Sequence, residues 1–77
     1  MNQTKRKRLA EAKALLDRAS NIISDVQDQE SDDLDNLPEN LQSSDRYEKM
    51  EDAIDALEDA LKSIEEANES IDSAIEK

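Results

Sequence analysis

Two groups of residues in this 77-residue chain have side chains suited to binding a phosphorylated ligand. The first group lies near the start of the chain and includes Arg6 and Arg8, and the second consists of Arg46, Tyr47 and Lys49. Arginine binds phosphate oxygens with a two-pronged fork, and a tyrosine ring can stack on a base. These five residues are the candidate ligand-binding residues. They would form one site only if an oligomer brought the two groups together.

The distribution of charge also has a simpler explanation. Residues 1–18 carry six bases and two acids, although the whole chain has a net charge of -11. Positive charge at the start of a helix opposes the helix dipole, typically by a few tenths to about 1 kcal/mol, so another interaction must favour it there. In an antiparallel hairpin, the acidic end of the second helix would supply that interaction. The acids of that end are Glu65, Glu66, Glu69, Asp72 and Glu76.

Catalysis and metal binding have little support in the sequence. It contains no histidine, no cysteine and no glycine with which to build a phosphate-binding loop. Several acids between Asp28 and Glu39 fall at ligand positions of a calcium-binding hand, but Asp33 stands where that loop needs glycine. We therefore predict no enzymatic activity, no cofactor and no metal.

Helices must position the candidate residues, because a chain with no glycine and one aromatic residue cannot build a core with tight turns. Residues 45–76 carry large apolar side chains three and four positions apart, which is typical of a coiled-coil seam. The seam residues are Tyr47, Met50, Ile54, Leu57, Leu61, Ile64, Ile71 and Ile75. Tyr47 could be a seam residue and nothing more. Asn68 interrupts the seam, and it either fixes the register opposite another asparagine or marks a wet helix end.

Residues 3–30 are predicted to form the first helix, capped by Asn2 or Thr4. Its predicted seam consists of Leu9, Ala12, Leu16, Ala19, Ile23 and Val26. Leu15 and Ile22 widen this stripe, as a row of alanines widens the stripe of the second helix. Those alanines are Ala53, Ala60, Ala67 and Ala74. We expect the large residues beside one seam to interdigitate with the alanines beside the other.

Residues 31–44 are predicted to form an ordered corner, because Pro38 breaks the helical pattern while three leucines continue its spacing. Asn36 and Glu39 fit a capping box for a short helical turn. The fold class is therefore all-α: residues 1–77 form a single domain, a long antiparallel helical hairpin with coiled-coil-like seams.

So short a chain has little interior, and its apolar faces are wider than one partner helix needs. We expect the hairpins to form a four-helix-type homo-oligomer, either a dimer or a tetramer. The negative net charge argues against direct binding to nucleic acid or to anionic membranes. The sequence has no apolar run long enough for a membrane span or a signal peptide, which predicts a cytoplasmic location.

The segment NLPENLQSSDRYEKMEDAIDALEDALKSIEEA, residues 36–67, resembles a pattern in small uncharacterised proteins of bacteriophages and mobile elements. In these proteins a leucine-proline-glutamate corner and a Ser-x-Arg-like step precede an acidic helix rich in methionine and alanine. The resemblance implies a viral or mobile-element origin, a bacterial host cell, and a role in inhibiting host defence or host enzymes. Some helical phage proteins of similar size form oligomers that sequester cyclic-nucleotide immune signals.

Three hypotheses about function follow. The first is a non-enzymatic homo-oligomer that sequesters a small phosphorylated, cyclic-nucleotide-like signal at sites between protomers. The second is an acidic helical module that mimics nucleic acid and inhibits a host nucleic-acid-binding or defence protein. The third is a purely structural oligomer without a ligand.

Overall fold

The computed structural model describes residues 1–42 and 44–77, and in it two long helices pack side by side. Helix α1 spans Gln3–Asp35 and helix α2 spans Asp45–Glu76, with a short 3-10 turn at Glu39–Leu41 between them. The predicted all-α helical hairpin is therefore confirmed. Ser43, which belongs to the predicted corner, lies outside the described residues.

Helix α1 begins at a side-chain cap and continues beyond its predicted end. The side chain of Asn2 accepts a hydrogen bond from the Lys5 backbone N–H at 2.8 Å, which satisfies one of the free donors of the first turn. The helix ends at Asp35, five residues beyond the predicted end at residue 30. The polar residues after position 30 do not stop a helix. The first backbone constraint comes from Pro38, which disfavours the helical conformation at Leu37.

Leu37 anchors the corner, and its side chain is only 8% exposed. The Gln42 side chain donates a hydrogen bond to the Leu37 carbonyl oxygen at 3.3 Å. The predicted capping box is wrong, because Asn36 is the C-cap residue of α1 and its backbone N–H bonds the Asp32 carbonyl oxygen at 3.1 Å. The 3-10 turn follows Pro38 and has no side-chain cap.

Side-chain contacts define the antiparallel register of the two helices. Lys13 forms an ion pair with Asp72, and Asn68 Nδ2 donates a hydrogen bond to Asp17 Oδ1 at 3.1 Å. Nearer the corner, Gln27 Nε2 donates to Glu58 Oε2 at 3.0 Å and to the Ile54 carbonyl oxygen at 3.2 Å. The residue numbers of the three side-chain pairs add to the same total, so the register stays constant along the hairpin.

The face that α1 turns toward α2 is the predicted one except near the corner. Leu9, Leu16 and Ile23 are half-buried, as the predicted seam requires. Val26 is wrong as a seam residue because it is 45% exposed, and half-buried Gln27 occupies the neighbouring position against α2. Polar residues therefore share this seam with the leucines.

The predicted interdigitation beside the seams does not occur within the hairpin. Leu15 is 59% exposed and Ile22 is 57% exposed, so neither is packed among the alanines of α2. The physical reason is that α1 carries apolar residues on two adjoining sides, whereas a single partner helix covers only one of them.

The hairpin is a thin rod that measures 59 × 15 × 12 Å. Over the described ranges, neither helix contains an apolar stretch that could cross a membrane.

Candidate functional site

The basic cluster of residues 5–8 lies on the first turns of α1, at the end of the rod opposite the corner. Lys5, Lys7 and Arg8 are exposed, whereas Arg6 is half-buried. The Nε atom of Arg6 is shielded from solvent, and it has no hydrogen-bond partner within the described part of the chain.

A shallow cleft of about 380 Å³ adjoins this cluster. Lys5 and Arg8 supply its positive charge, while Met1 and Leu9 supply apolar surface. Two cations beside an apolar wall suit an anion that carries a ring or an alkyl group, since each part of such a ligand meets a matching surface.

Only one of the six bases in residues 1–18 forms an ion pair within the described part of the hairpin. Among residues 1–42 and 44–77, the Lys13–Asp72 contact is the one ion pair that forms. Of the five acids at the end of α2 that were expected to neutralise the basic start, only Asp72 has such a partner. None of the four bases in the basic cluster, Lys5 to Arg8, therefore forms an ion pair within the described part of its own hairpin.

Arg46, Tyr47 and Lys49 lie on the first turn of α2, next to the corner. Arg46 and Lys49 are exposed, and Tyr47 is half-buried at a seam position. Helix α1 separates this group from Arg6, because about 43 Å of helix runs from Arg6 to the end of α1 at a rise of 1.5 Å per residue. A single hairpin does not bring the two groups together, so any site that uses both must join two chains.

A polar groove of about 480 Å³ follows one edge of the helix pair. Its lining includes Ser20, Ser24, Lys62 and Asn68. The Oδ1 atom of Asn68 is shielded from solvent and has no hydrogen-bond partner within residues 1–42 and 44–77, while its Nδ2 atom binds Asp17. Sequence reasoning missed this groove, although Gln27, one turn beyond Ser24 in the α1 seam, was a visible polar signal.

The hairpin places Asn68 well inside α2, opposite a residue of α1. Helix α2 continues to Glu76, so Asn68 does not mark a frayed helix end. Its partner within the hairpin is Asp17 and not a second asparagine. The register is therefore fixed by hydrogen bonds between the two helices of one chain.

The acids that fall at calcium-ligand spacing in the sequence do not form a loop. Asp28 to Asp35 belong to α1, whereas a calcium-binding hand needs this stretch to be a turn around the ion. No group of three acidic side chains converges as a metal site in the described residues.

Comparison of the chain with protein-family models, curated proteins and solved structures gives no match.

Proposed function

We propose that this protein is a non-enzymatic binding protein that works as a homo-oligomer. Its ligand is a small phosphorylated molecule of the cyclic-nucleotide type, held at sites between protomers. The resemblance to phage proteins makes a host defence signal in the bacterial cytoplasm the ligand class we favour. The function would then be sequestration, since binding alone lowers the concentration of a free signal.

One observation carries this proposal: the basic cluster Lys5 to Arg8 has no carboxylate partner in its own hairpin among the described residues. In a chain with 21 acids and 10 bases, an uncompensated group of four consecutive bases is unexpected. The cluster also begins a helix, where its charge opposes the dipole. A bound anion would offset both costs, and charge-assisted hydrogen bonds from arginine to phosphate are among the stronger polar contacts in proteins.

The second group supports a site between protomers. Tyr47 is half-buried at a seam position, and Arg46 and Lys49 are exposed on the same turn of α2. A ring held this way can stack on a base, while the two cations can reach phosphate oxygens. Because Arg6 and Arg8 lie at the other end of the rod, they would have to come from a second hairpin.

Native mass spectrometry tests the proposal directly. The purified protein is measured alone and with a panel of cyclic di- and trinucleotides, and we expect the oligomer to gain whole-number ligand masses. The exchange of Arg46 and Tyr47 for alanine should abolish the gain and leave the oligomer intact. Arg18→Ala is the matched control, because it removes an exposed base outside both groups. An oligomer that gains no mass with any ligand of the panel would refute sequestration of this ligand class.

We also propose a second candidate function, in which α2 binds a basic groove on a host protein and mimics nucleic acid. The exposed outer face of α2 favours it, because its carboxylates have no ion-pair partner in the described structure apart from Asp72. These carboxylates include Asp52, Asp55, Asp59, Glu66 and Glu69. Binding of this kind should weaken strongly with salt, since exposed charges are screened over about 8 Å at physiological ionic strength. A captured host protein that stays bound at 1 M salt would contradict the mimicry.

A further inference from the structure

Helix α1 carries a second seam on the side that α2 leaves uncovered. Its residues again lie three and four positions apart, which is the spacing of a coiled-coil stripe. They are Arg8, Ala12, Leu15, Ala19, Ile22, Val26, Gln29 and Asp33. All except the two alanines are exposed in the hairpin, so this second seam has no partner among the described residues.

This second seam is complementary to itself when two copies run in opposite directions. In that arrangement Leu15 meets Val26 of the partner subunit, and Ala19 meets Ile22 of the partner subunit. A large side chain thus stands opposite a small one at the centre. At either end Arg8 meets Asp33 of the partner subunit, an arginine and a carboxylate in reach of a two-pronged contact.

We propose that two hairpins dock through the second seam of α1 as an antiparallel, two-fold symmetric dimer, an arrangement called head to tail below. The distribution of charge favours this direction. Residues 1–18 carry a net charge of +4 and residues 19–44 a net charge of -7, from six bases and two acids in the first range and seven acids in the second. Head-to-tail docking sets the basic first half of α1 in one hairpin against the acidic second half of α1 in the other. Head-to-head docking would place like charges together, which is unfavourable.

The exposed area of a single hairpin agrees with a dimer. The chain exposes 5875 Å², whereas a compact monomer of 8.7 kDa exposes about 4,700 Å² by the scaling of surface with mass. A standard interface removes about 800 Å² from each partner. The excess of roughly 1,200 Å² is therefore sufficient for one interface of ordinary size.

This docking rests on the homo-oligomer of the proposed function but not on its ligand. It brings the start of α1 to the end of the partner where the partner's corner and first α2 turn lie. Arg6 would then lie at the same end as Arg46 and Tyr47 of the partner subunit, which is the condition for a shared anion site. Because Arg8 pairs with Asp33 of the partner subunit in this docking, Arg6 would be the base of α1 that contacts the anion. Two such sites would form per dimer, one at each end.

A charge exchange across the second seam tests the docking. Sedimentation equilibrium of the full chain should give a dimer, and Arg8→Glu should weaken dimerisation about tenfold, because it sets two carboxylates together at both ends. The double variant Arg8→Glu with Asp33→Arg should restore the wild-type dissociation constant to within about threefold. Lys62→Glu makes the same change in net charge on an exposed base of α2, outside the second seam, and it should leave the dissociation constant unchanged.

The apolar part of the second seam has its own test. Leu15→Gln with Ile22→Gln should weaken dimerisation at least a hundredfold, while the helical circular dichroism signal persists, since both side chains are exposed in the hairpin. If the two glutamine substitutions leave the dissociation constant unchanged, the dimer does not use this face. If the double variant Arg8→Glu with Asp33→Arg dimerises as weakly as Arg8→Glu alone, the dimer is not head to tail. A monomeric wild type would overturn the docking and the homo-oligomer together. A head-to-tail dimer that binds no nucleotide would refute only the proposed ligand.

Discussion

Asn68 combines a satisfied and an unsatisfied polar atom in one seam position. Its Nδ2 atom donates to Asp17, while its Oδ1 atom is shielded from water and has no donor in the described part of the chain. A buried acceptor without a partner costs about 1–3 kcal/mol. The amide therefore specifies the register of the hairpin at the expense of its stability, as polar seam residues do in coiled coils.

Asn68→Leu should increase the free energy of unfolding by about 1 kcal/mol. The substitution removes the unpaired acceptor and adds apolar contact, and Asp17 is exposed, so water can replace its lost hydrogen bond. Urea unfolding followed by circular dichroism, at one fixed protein concentration, measures the change. Asn68→Asp is the matched control and should lower stability, because it sets a second carboxylate beside Asp17. A less stable leucine variant would mean that the Asp17 bond outweighs the packing.

At the scale of the elements, the sequence was most informative about α2. Its expected range, 45–76, is the range in the structure, because a serine that can cap it precedes the range and apolar residues three and four positions apart continue to Ile75 with Asn68 as the one interruption. Ser44 provides that cap by accepting a hydrogen bond from the Tyr47 N–H. The predicted end of α1 at residue 30 is too early, because polar residues without glycine or proline do not terminate a helix.

On α1 the predicted seam is right from Leu9 to Ile23 and wrong at Val26, where Gln27 contacts α2 instead. Apolar side chains lie on both sides of Leu16 and Ile23, so the periodicity alone allows either side to face α2. Hydrogen bonds of Gln27 and Asn68 with the opposite helix accompany the side that the hairpin uses. Both basic groups of the candidate site are visible in the sequence. They lie at opposite ends of the hairpin, so only a second chain could bring them together.

The corner should contribute more to stability than its length implies. Leu37 is the one buried side chain among the described residues, so Leu37→Ala should lower the free energy of unfolding by about 2 kcal/mol. This value is at the low end of the leucine-to-alanine range because the end of the bundle is open to water. Leu41→Ala is the control, and its loss should be smaller because Leu41 is only half-buried. Urea unfolding of both variants makes the comparison, and an unchanged Leu37→Ala variant would rule out the corner as an anchor.

The whole molecule is more extended than a compact globular domain of the same length. Its radius of gyration is 17.5 Å, against about 11.5 Å for a compact chain of the same length. Among the described residues only Leu37 is buried, the apolar seam residues are half-buried, and Leu15, Ile22 and Val26 are exposed. The hydrophobic stabilisation of one hairpin is therefore small for its length, and the proposed docking of a second copy would add to it.

Folding should consequently depend on protein concentration. If two hairpins fold and dock together, each tenfold rise in concentration adds about 1.4 kcal/mol to the free energy of unfolding. For a dimer of this size the Tm should rise by about 3–6 °C per tenfold step. Thermal unfolding followed by circular dichroism over a hundredfold concentration range measures the slope. The Leu15→Gln and Ile22→Gln double variant serves as the control, and its Tm should be lower and independent of concentration because it melts as a single hairpin. A wild-type Tm that does not change with concentration would mean that the isolated rod is stable by itself, in which case the uncovered seam of α1 adds nothing to folding.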